Sequence, residues 1–527
     1  MKKVLNFLLI IVFLAGVVTL NSCKKDEIPV VTTTAASGVT TTTAVSGGNV
    51  TDDGGAEVTA RGVCWGTSAN PTISGSKTTD GKGTGSFSSN LTGLTPGTKY
   101  YVRAYATNSV GTAYGNEIDF TTTALAGATV TTNEVTVFSY TTATAGGNVT
   151  ATGGDAVTAR GVCYGTTANP TISGTHTEDG TGIGAFTSNL TGLTSGTKYY
   201  VRAYATNSTG TEYGAQVEFT TLAVTEPAVS TGAVSSITDV AAKVGGNVTA
   251  TNGGAITERG ICWGTSENPT VDDESAEAEL GDDGTGTFTA DLTGLTMGTT
   301  YYARAYAKNS AGISYGDAVT FNTLLRDVDN NLYEVVKIGS ALWMAENLAT
   351  TKYNGGGDIP TGHSNDEWKA LSTAAYCWYN GAVANKELYG ALYNWYAASN
   401  ANICPTGWHL PTDAEFKNLE MALGMTQGQA DGTDWRGTDQ GTRMKSESGW
   451  ADEGNGTNSS GFNAVPGGFR YYDSGAFMHV GNIAYFWTST QDNVERSWIR
   501  QLEKAQNGVQ RQNGDKRAGK SIRCVKN

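Results

Sequence analysis

One segment of this chain occurs three times at a constant spacing. It reads Arg-Gly, then Val or Ile, then Cys, an aromatic residue and Gly, and its cysteines Cys64, Cys163 and Cys262 are 99 residues apart in each case. Each copy also has Gly-Gly-Asn-Val upstream and Leu-Thr-Gly-Leu-Thr downstream of this segment. A period of this length indicates tandem copies of one complete domain. We therefore predict three successive domains over residues 30–123, 127–222 and 226–323.

A tyrosine-rich segment near the end of each copy predicts a half-buried β-strand. In the first copy, Tyr100, Val102 and Ala104 alternate with Tyr101 and Arg103, which is the period-two pattern of a strand with one buried face. The chain has 69 glycines and only 16% charged residues, a composition that favours short strands and turns over long helices. The three domains are therefore expected to be all-β.

The segment from Leu94 to Tyr100, followed by Ala106, Asn108 and Gly111, resembles a fibronectin type III domain. The resemblance covers roughly residues 28–323 and implies tandem immunoglobulin-like or fibronectin III-like sandwiches that serve as spacers or adhesion modules. It also implies that one tyrosine per copy caps a corner of the sandwich by hydrogen bonding to the backbone. Those tyrosines are Tyr100, Tyr199 and Tyr301.

Each repeat has a single cysteine, so no disulfide can form within a repeat. Equivalent points on consecutive domains lie well beyond the roughly 7 Å that a disulfide tolerates between Cα atoms. We therefore expect Cys64, Cys163 and Cys262 to be buried free thiols. The third copy also carries an acidic insertion over residues 271–283, whose spacing does not match a calcium-binding loop and which we interpret as a solvated loop.

The start of the chain has the pattern of a bacterial lipoprotein signal. Met1-Lys2-Lys3 precedes an apolar run from Leu5 to Leu20, which is short for a membrane span. The run ends in Leu-Asn-Ser-Cys23, which resembles a lipobox. We predict a signal peptide over residues 1–22 and a lipidated tether over residues 23–29, with more than one acyl chain on Cys23 and therefore stable attachment to a membrane. The alternative is ordinary secretion with a cysteine at this position by chance.

The residues after Cys23, Lys24-Lys25-Asp26-Glu27, resemble the tag that exports lipoproteins in envelopes of the Bacteroidota type. This resemblance implies an outer membrane lipoprotein exposed at the cell surface. A solvated tether without an export role would have the same composition.

The composition changes near Leu325, because nine of the eleven tryptophans lie beyond it and helical periodicity appears for the first time. Residues 325–527 contain an ordered series of aromatic and glycine-rich motifs, and this series resembles the Fibrobacter succinogenes major paralogous (FISUMP) domain. The resemblance implies an α+β fold related to C-type lectins and carries no known activity. The motifs lie at residues 376–380, 389–398, 404–416, 467–470, 486–489 and 521–525.

Two cysteines of this region, Cys404 and Cys524, resemble the long-range pair that links a helix-bearing segment to the last strand in lectin-like folds. The resemblance implies a disulfide between them. Cys377 is then left as a free thiol.

One helix of the C-terminal region is predicted from local signals alone. Thr412 and Glu415 form a capping box, the apolar residues Phe416 and Leu419 recur on one face, and Gly424 ends the helix. We therefore interpret Asp413 and Glu415 as structural residues and not as an acid and base pair.

A ligand site in a lectin-like domain would lie on its long irregular loops, which here correspond to the stretch from Gly428 to Tyr472. The aromatic residues between Trp435 and Tyr485 are either core residues or platforms for a glycan. The triplets that hold sugar-binding calcium in C-type lectins are absent, so we expect no metal site. The candidate binding residues are Asp431, Asp434, Trp435, Asp439 and Trp450.

Three functions remain open. The first is a surface-anchored lipoprotein that displays a binding or adhesion module for an extracellular glycan or protein, and the second is a structural envelope protein without a ligand. The third is an enzyme related to formylglycine-generating enzymes, which share the lectin-like fold and use a cysteine pair. We expect no catalytic residues and no cofactor, since the four histidines form no metal-binding motif. A net charge of −14 without a large basic cluster argues against nucleic acid as a partner.

Overall fold

The computed structural model of the protein describes residues 25–527, so the predicted signal peptide over residues 1–22 and the predicted lipidation site Cys23 lie outside the described residues. The described chain is mainly β, as predicted. It divides into two compact units, one that ends at Ala223 and one from Val224 to Asn527. Between residues 25 and 527, no helix has both the length and the apolar content that a bilayer span requires.

The first unit contains the first two repeats, each built from two antiparallel sheets. In the first repeat, one sheet has the order β1-β2-β5 and the other the order β4-β3-β6-β7, with β8 paired to β6. Its strands are β1 Val30–Ser37, β2 Ala44–Asp52, β3 Ala60–Gly66, β4 Ser76–Lys77, β5 Gly85–Leu91, β6 Lys99–Thr107, β7 Thr112–Tyr114 and β8 Ile118–Thr121. The second repeat has β9 Thr129–Thr132, β10 Val137–Phe138, β11 Ala143–Ala151, β12 Ala159–Gly165, β13 Gly184–Leu190, β14 Lys198–Asn207, β15 Gly210–Tyr213 and β16 Val217–Thr220.

The second unit begins with the third repeat, which has the same two-sheet arrangement, with orders β17-β18-β21 and β20-β19-β22-β23 and with β24 paired to β22. Its strands are β17 Ala228–Ser235, β18 Ala241–Ala250, β19 Glu258–Gly264, β20 Glu274–Glu277, β21 Gly286–Thr293, β22 Thr300–Lys308, β23 Ile313–Tyr315 and β24 Val319–Asn322. These paired sheets confirm the prediction of three fibronectin III-like sandwiches.

The Gly-Gly pair of the first two repeats lies in tightly packed space, with the second glycine against the facing sheet and the first against the neighbouring strand of its own sheet. A Cβ atom on Gly48 would lie 2.6 Å from the Cβ atom of Ala104 in the facing sheet, and one on Gly47 would lie 2.2 Å from the carbonyl oxygen of Phe87. Real Cβ atoms do not approach neighbours this closely, so only glycine fits at these positions. The motif is therefore explained by the packing of the two sheets.

The predicted tyrosine corner is confirmed in all three repeats. The backbone N–H of Thr95 donates to the hydroxyl oxygen of Tyr100 at 3.0 Å, and Tyr199 and Tyr301 accept the equivalent hydrogen bonds at 3.0 Å. The phenol ring is buried, so its polar end needs this partner. The corner thus fixes the turn before the tyrosine-rich strand.

The Arg and Cys of the repeated segment are structural. Arg61 donates from Nη1 to the carbonyl oxygens of the 83–85 loop at 2.8 to 3.3 Å, and its guanidinium lies over the ring of Phe87. Cys64, Cys163 and Cys262 are buried free thiols, as predicted. Burial raises the pKa of each of these thiols to about 11. Thiols of this kind are unreactive at neutral pH.

The C-terminal domain is an α+β arrangement of two four-stranded sheets and several small strand pairs. One sheet has the order β27-β28-β38-β31 and the other the order β32-β37-β36-β35. The strands are β25 Leu325–Arg326, β26 Leu332–Tyr333, β27 Val335–Ile338, β28 Ala341–Met344, β29 Tyr376–Cys377, β30 Leu392–Tyr393, β31 Trp408–His409, β32 Asp434–Arg436, β33 Phe469–Arg470, β34 Phe477–Met478, β35 Ile483–Gln491, β36 Arg496–Glu503, β37 Val509–Asp515 and β38 Val525–Lys526. The helices are α1 Asn365–Lys369, α2 Lys386–Tyr389, α3 Trp395–Ala398, α4 Asp413–Ala422, α5 Gln427–Asp431 and α6 Gln440–Met444.

The predicted disulfide and the predicted helix are both present. Cys404 and Cys524 are joined, which links the segment before α4 to the chain just before β38. Cys377 is a free buried thiol, as predicted. The capping box of α4 is formed, with Thr412 as the N-cap and Glu415 as its partner, and Gly424 follows the helix in a left-handed conformation. Phe416 and Leu419 are buried in the core.

A cluster of buried charges attaches α4 to the long-stranded sheet. Arg500 on β36 donates from Nη1 to Asp413 Oδ1 at 2.8 Å and from Nε to Glu420 Oε1 at 2.6 Å. Arg511 on β37 contacts Asp413 Oδ2 at 2.8 Å, and Arg436 on β32 contacts Glu420 Oε2 at 2.7 Å. Burial alone would raise the pKa of Asp413, but the Arg511 and Arg500 guanidinium groups outweigh it and lower the pKa to about 2. Asp413 is therefore structural, as predicted.

Replacing Asp413 by Asn should destabilise the C-terminal domain by about 3 kcal/mol or more, because it leaves buried arginines without their counter-charge. The pKa of Asp413 is lower in the folded chain than its ordinary 3.8, so its contribution is complete above about pH 4 and is lost as the pH falls towards about 2. Denaturant unfolding followed by tryptophan fluorescence measures the effect, since most tryptophans lie in this domain. Asp431→Asn, which alters only the exposed contacts of this carboxylate with Lys417 and Gln427, is the control and should unfold like the wild type. Equal loss in both variants would contradict the assignment.

Candidate functional site

The stretch from Gly428 to Tyr472, predicted to bind a ligand, folds as short helices and two short strands joined by loops. Asp431 ends α5, and its exposed carboxylate accepts a hydrogen bond from Lys417 Nζ at 2.9 Å. Asp434 and Trp435 begin β32, where Asp434 is exposed and Trp435 is half-buried. These residues lie near β32, the edge strand of the long-stranded sheet.

The two remaining predicted binding residues lie elsewhere in the domain. Asp439 is exposed and directly precedes α6. Trp450 is only 5% exposed, and its indole N–H donates to Ser446 Oγ and to the Ala464 carbonyl oxygen, both at 3.1 Å. The ring of Trp450 therefore belongs to the core and offers no face to a ligand. The five predicted residues do not form one site.

A polar cleft of about 460 Å³ lies between the turn before β26 and helix α2. Burial raises the pKa of its Glu346. Its buried cation, Arg523, donates from Nε to Asn347 Oδ1 at 2.7 Å and also donates to three backbone carbonyl oxygens. A guanidinium with this set of acceptors already has partners within the protein, so it serves the fold.

A smaller aromatic cleft of about 160 Å³ lies beside the long-stranded sheet. The residues that line it are Phe469, Tyr471, Tyr472, Tyr485, Arg496, Ile499, Gln512, Asn513, Gly514, Asp515, Ala518 and Lys520. Its aromatic rings contact one another, with 5.0 Å between the ring centres of Phe469 and Tyr485 and 4.7 Å between those of Tyr471 and Tyr472. The cleft thus combines an aromatic wall with amide and charged side chains, the composition of a site for a small polar ligand.

The strand register explains which side chains reach the aromatic cleft. Ile499 of β36 is directly opposite Gln512 of β37, and the next pair along is Arg500 and Arg511. Successive residues of a strand point to opposite faces. The arginine pair faces α4 and the buried carboxylates, so the Ile499 and Gln512 pair faces the cleft.

Lys520 is the most unusual side chain of the aromatic cleft. It is 4% exposed, and its ammonium lies 4.4 Å from the ring centre of Trp487 and 5.4 Å from that of Tyr485. A Cβ atom on Gly514 would lie 3.1 Å from Lys520 Nζ, so the glycine leaves room for this side chain. Burial lowers the pKa of Lys520 to about 7, with Asp515 opposing the shift and Arg496 adding to it.

The neighbouring ionisable groups of the cleft are held in defined states. Burial alone would raise the pKa of Asp515, but hydrogen bonds from Arg517 outweigh it and hold the pKa below its ordinary value. Burial, together with the charge of Glu503, raises the pKa of Tyr485 to about 12. Asp515 is therefore charged and Tyr485 neutral at physiological pH.

The sequence did not reveal Lys520 as a site residue. It directly precedes the motif at residues 521–525, and its immediate neighbours give no sign of burial. The rings of Trp487 and Tyr485 that surround it come from β35, about 33 residues earlier in the chain. The aromatic residues from Phe469 to Tyr485 fall within the range considered for a glycan platform, so that part of the site was detectable.

Comparison with known proteins supports the domain organisation. Residues 336–526 match the family model of the Fibrobacter succinogenes major domain, which confirms the resemblance found in the sequence. No curated protein sequence matches the chain. The crystal structure of chicken CNTN1 FN1-FN3 domains is similar at 16% identity and a TM-score of 0.18, covering 56% of this chain and 98% of that chain. This TM-score is too low to support a shared fold, so the sandwich assignment rests on the sheet topology of the repeats. The domain match and the sandwiches together indicate a surface or structural protein.

Among residues 25–527, no group of three or more His, Cys, Asp or Glu side chains is arranged to hold a metal ion. The cysteine pair that an enzyme of the formylglycine-generating type would use is joined as a disulfide and is buried, with Cys404 2% and Cys524 0% exposed.

Replacing Trp450 by Ala should destabilise the C-terminal domain by about 3–5 kcal/mol, since it opens a cavity in the core and removes two hydrogen bonds. Trp435→Ala is the matched control and should have a much smaller effect, because that ring is half-buried at the sheet edge. Thermal unfolding monitored by circular dichroism compares the two. Loss of ligand binding by Trp450→Ala without loss of stability would show instead that this ring contacts a ligand.

Proposed function

We propose that this protein is a surface-anchored lipoprotein that displays its C-terminal domain as a binding module on a stalk of β-sandwich repeats. In this proposal Cys23 is acylated, the protein is held at the outer membrane and exposed at the cell surface, and the aromatic cleft binds an extracellular glycan or protein. The relation of the C-terminal domain to the C-type lectin-like fold is part of the same proposal.

The observation that carries the proposal is the direct packing of the third repeat against the C-terminal domain. Strand β24 ends at Asn322, and Leu325 of β25 is already fully buried in the core of the C-terminal domain. The side chain of Met297, from the third repeat, packs against that same core. A connection this short and this buried holds a domain in place, which is what a display function needs.

Polar contacts reinforce this junction. Arg326 forms a two-point pair with Asp239 of the third repeat, from Nε to Oδ2 at 2.6 Å and from Nη2 to Oδ1 at 2.8 Å. The hydrogen bonds from Arg326 hold the pKa of Asp239 below its ordinary value. Near the end of the chain, Lys526 Nζ donates to the Gly298 carbonyl oxygen at 2.8 Å and to Thr299 Oγ1 at 3.0 Å. The last strand of the C-terminal domain is thus attached to the stalk as well.

The first repeat begins close to the predicted anchor. The backbone N–H of Glu27 donates to the Gly54 carbonyl oxygen at 2.8 Å, and Asn108 Nδ2 donates to the Glu27 carbonyl oxygen at 2.7 Å. Only three residues separate Glu27 from Cys23. Acylation of Cys23 would therefore hold the first repeat next to the membrane surface.

Two other functions were considered. A structural envelope protein would need the sandwiches and the rigid junction but no ligand cleft. An enzyme of the formylglycine-generating type would need an accessible cysteine pair, and the buried disulfide between Cys404 and Cys524 does not supply one. The aromatic cleft with its buried lysine favours the binding function over both.

The proposal is tested with intact cells that express the full chain or its Cys23→Ala variant. Wild-type cells should bind saturably to a member of an array of glycans and extracellular proteins, and surface protease should remove the protein. The Cys23→Ala protein should leave the membrane fraction, because it lacks the acyl chains that supply stable attachment.

Unchanged membrane fractionation of Cys23→Ala would contradict the anchor. Absence of binding across the whole array would contradict the binding function and favour a structural role.

The contact between the third repeat and the C-terminal domain predicts that Ala is tolerated less well at Gly298 than at the equivalent Gly97. Gly298 and Gly97 have the same left-handed conformation, with φ of 55° and 62°, so Ala costs about 1 kcal/mol or more of backbone strain at either position. A Cβ atom on Gly298 would also lie 2.8 Å from Trp408 Cζ2, whereas one on Gly97 would lie 3.4 Å from the Ala124 Cβ atom. Gly298→Ala should therefore lower the thermal stability of the C-terminal domain, measured by tryptophan fluorescence, while Gly97→Ala should not. Identical fluorescence transitions in the two variants would contradict the junction.

A further inference from the structure

Two of the most deeply buried lysines of the C-terminal domain have complete sets of hydrogen-bond acceptors. Lys445 and Lys516 are 2% and 3% exposed, and each ammonium donates three hydrogen bonds, which matches its three N–H groups. The acceptors of Lys445 are the carbonyl oxygens of Glu503, Lys504 and Gln506, and those of Lys516 are Gln491 Oε1 and the carbonyl oxygens of Asn493 and Val494.

Lys520 is buried to the same degree, at 4% exposed, but its ammonium has no hydrogen-bond acceptor and no carboxylate partner within residues 25–527. The faces of Trp487 and Tyr485 attract the cation but cannot accept its N–H groups as a carbonyl oxygen does. The Nζ atom is not completely enclosed, so its N–H groups are open to an acceptor in the cleft. Since Lys520 lines the aromatic cleft, the missing acceptor has a place from which to enter.

The other walls of the cleft indicate the chemistry of the missing partner. Arg496 adds positive charge to the lining, and the single carboxylate, Asp515, is already paired with Arg517 Nη2 at 2.8 Å. An anionic oxygen is therefore favoured next to Lys520. Tyr471 and Tyr472 are partly exposed and offer apolar ring faces. Gln512 Nε2 already donates to Gln501 Oε1 and Gln510 Oε1, so the Gln512 amide oxygen is the group that it offers to a hydroxyl.

The size of the cleft restricts the ligand further. Its volume of about 160 Å³ is below the roughly 300–1,000 Å³ of pockets that hold whole drug-sized molecules. It therefore suits a single ring of a longer chain. We propose that the aromatic cleft binds an acidic sugar unit of an extracellular polysaccharide, with the sugar carboxylate on Lys520 Nζ and the sugar ring against the tyrosines. This inference rests on the proposed binding function and names its ligand class.

Binding of a carboxylate should depend on pH near neutrality. The ionisable groups that face the Lys520 ammonium are Asp515 from β37, Arg496 from β36 and Tyr485 from β35, and Tyr485 stays neutral because its pKa is raised to about 12. A bound carboxylate stabilises the protonated amine, so binding takes up a proton when the free amine has a pKa of about 7. Affinity should therefore fall as the pH rises above 7.

The test uses the full chain in detergent and two probes of the same backbone, an oligogalacturonate and its methyl ester, with glucuronic acid and N-acetylneuraminic acid oligosaccharides alongside. At least one acidic oligosaccharide should bind, and neutralising its carboxylates, by esterification or reduction to the alcohol, should weaken binding about thirtyfold or more. Lys520→Met should cause a similar loss, because Met keeps the size of the side chain and removes the charge.

Stability distinguishes a binding lysine from a structural one. Lys520→Met should leave the melting temperature of the C-terminal domain unchanged or raise it, since no hydrogen bond is lost and an unpaired charge is removed. Lys516→Met is the matched control and should lower the melting temperature, because it removes three hydrogen bonds.

Several results would overturn the inference. Equal affinity for the acid and for its neutralised form, or unchanged binding by Lys520→Met, would show that no carboxylate contacts Lys520. Saturable binding of neutral glycans only, or of an Asp- and Glu-rich peptide but no saccharide, would leave the binding function intact and remove this ligand class. If the protein binds none of the probes and the cells bind nothing on the array, both the ligand class and the binding function are contradicted.

Discussion

The buried charge cluster on helix α4 is the constraint on which the shape of the C-terminal domain depends. Arg500 and Arg511 are directly opposite each other on neighbouring strands, an arrangement that is unfavourable for two like charges unless carboxylates lie between them. Asp413 and Glu420 provide those carboxylates from one face of α4. Because this pairing sets which face of β36 and β37 is turned to the helix, it also sets which residues line the aromatic cleft on the other face. The cluster thus determines the geometry of a site to which it contributes no contact.

The C-terminal domain contains two kinds of buried cation, those bonded within the protein and one that is open to a ligand. Arg523, Lys445 and Lys516 are buried and hydrogen bonded to acceptors of the protein itself. Lys520 is as deeply buried but faces a cleft and ring faces. The cations of the first group are bonded to acceptors of the protein, whereas the N–H groups of Lys520 are open to an acceptor that enters the cleft. A buried cation without a protein partner beside a cleft is a physical reason to look for function there.

Sequence reasoning succeeded where the physical cause is local or periodic. The 99-residue period revealed the sandwiches, the spacing from Thr412 to Glu415 revealed the start of α4, and a family resemblance supplied the pairing of Cys404 with Cys524. It did not reveal that Trp450 is buried or that Lys520 is unpaired, because both facts depend on segments far apart in the chain. Asp413 was interpreted correctly as structural, yet its arginine partners, some 90 residues away, could not be identified from local pattern. Local rules therefore predicted the elements, and tertiary contacts decided the site.

The end loops of the repeats explain how the same sandwich fold contacts another sandwich in one copy and the C-terminal domain in another. The turn with Thr238 hydrogen bonded to Ala241 has counterparts at Thr40 and Ser139, so Asp239 is equivalent to Thr41 and Tyr140. Likewise, Met297 is equivalent to Pro96 and Ser195. In the first repeat, Thr41 makes a hydrogen bond to the carbonyl oxygen of Gly154 in the second repeat, a neutral contact between sandwiches. In the third repeat, the same backbone carries Asp239 and Met297, which pair with Arg326 and pack on the core of the C-terminal domain. Because only the side chains differ, the third repeat can hold the C-terminal domain where the first repeat contacts another sandwich, and any variant that weakens these two contacts should loosen the junction without unfolding the repeats.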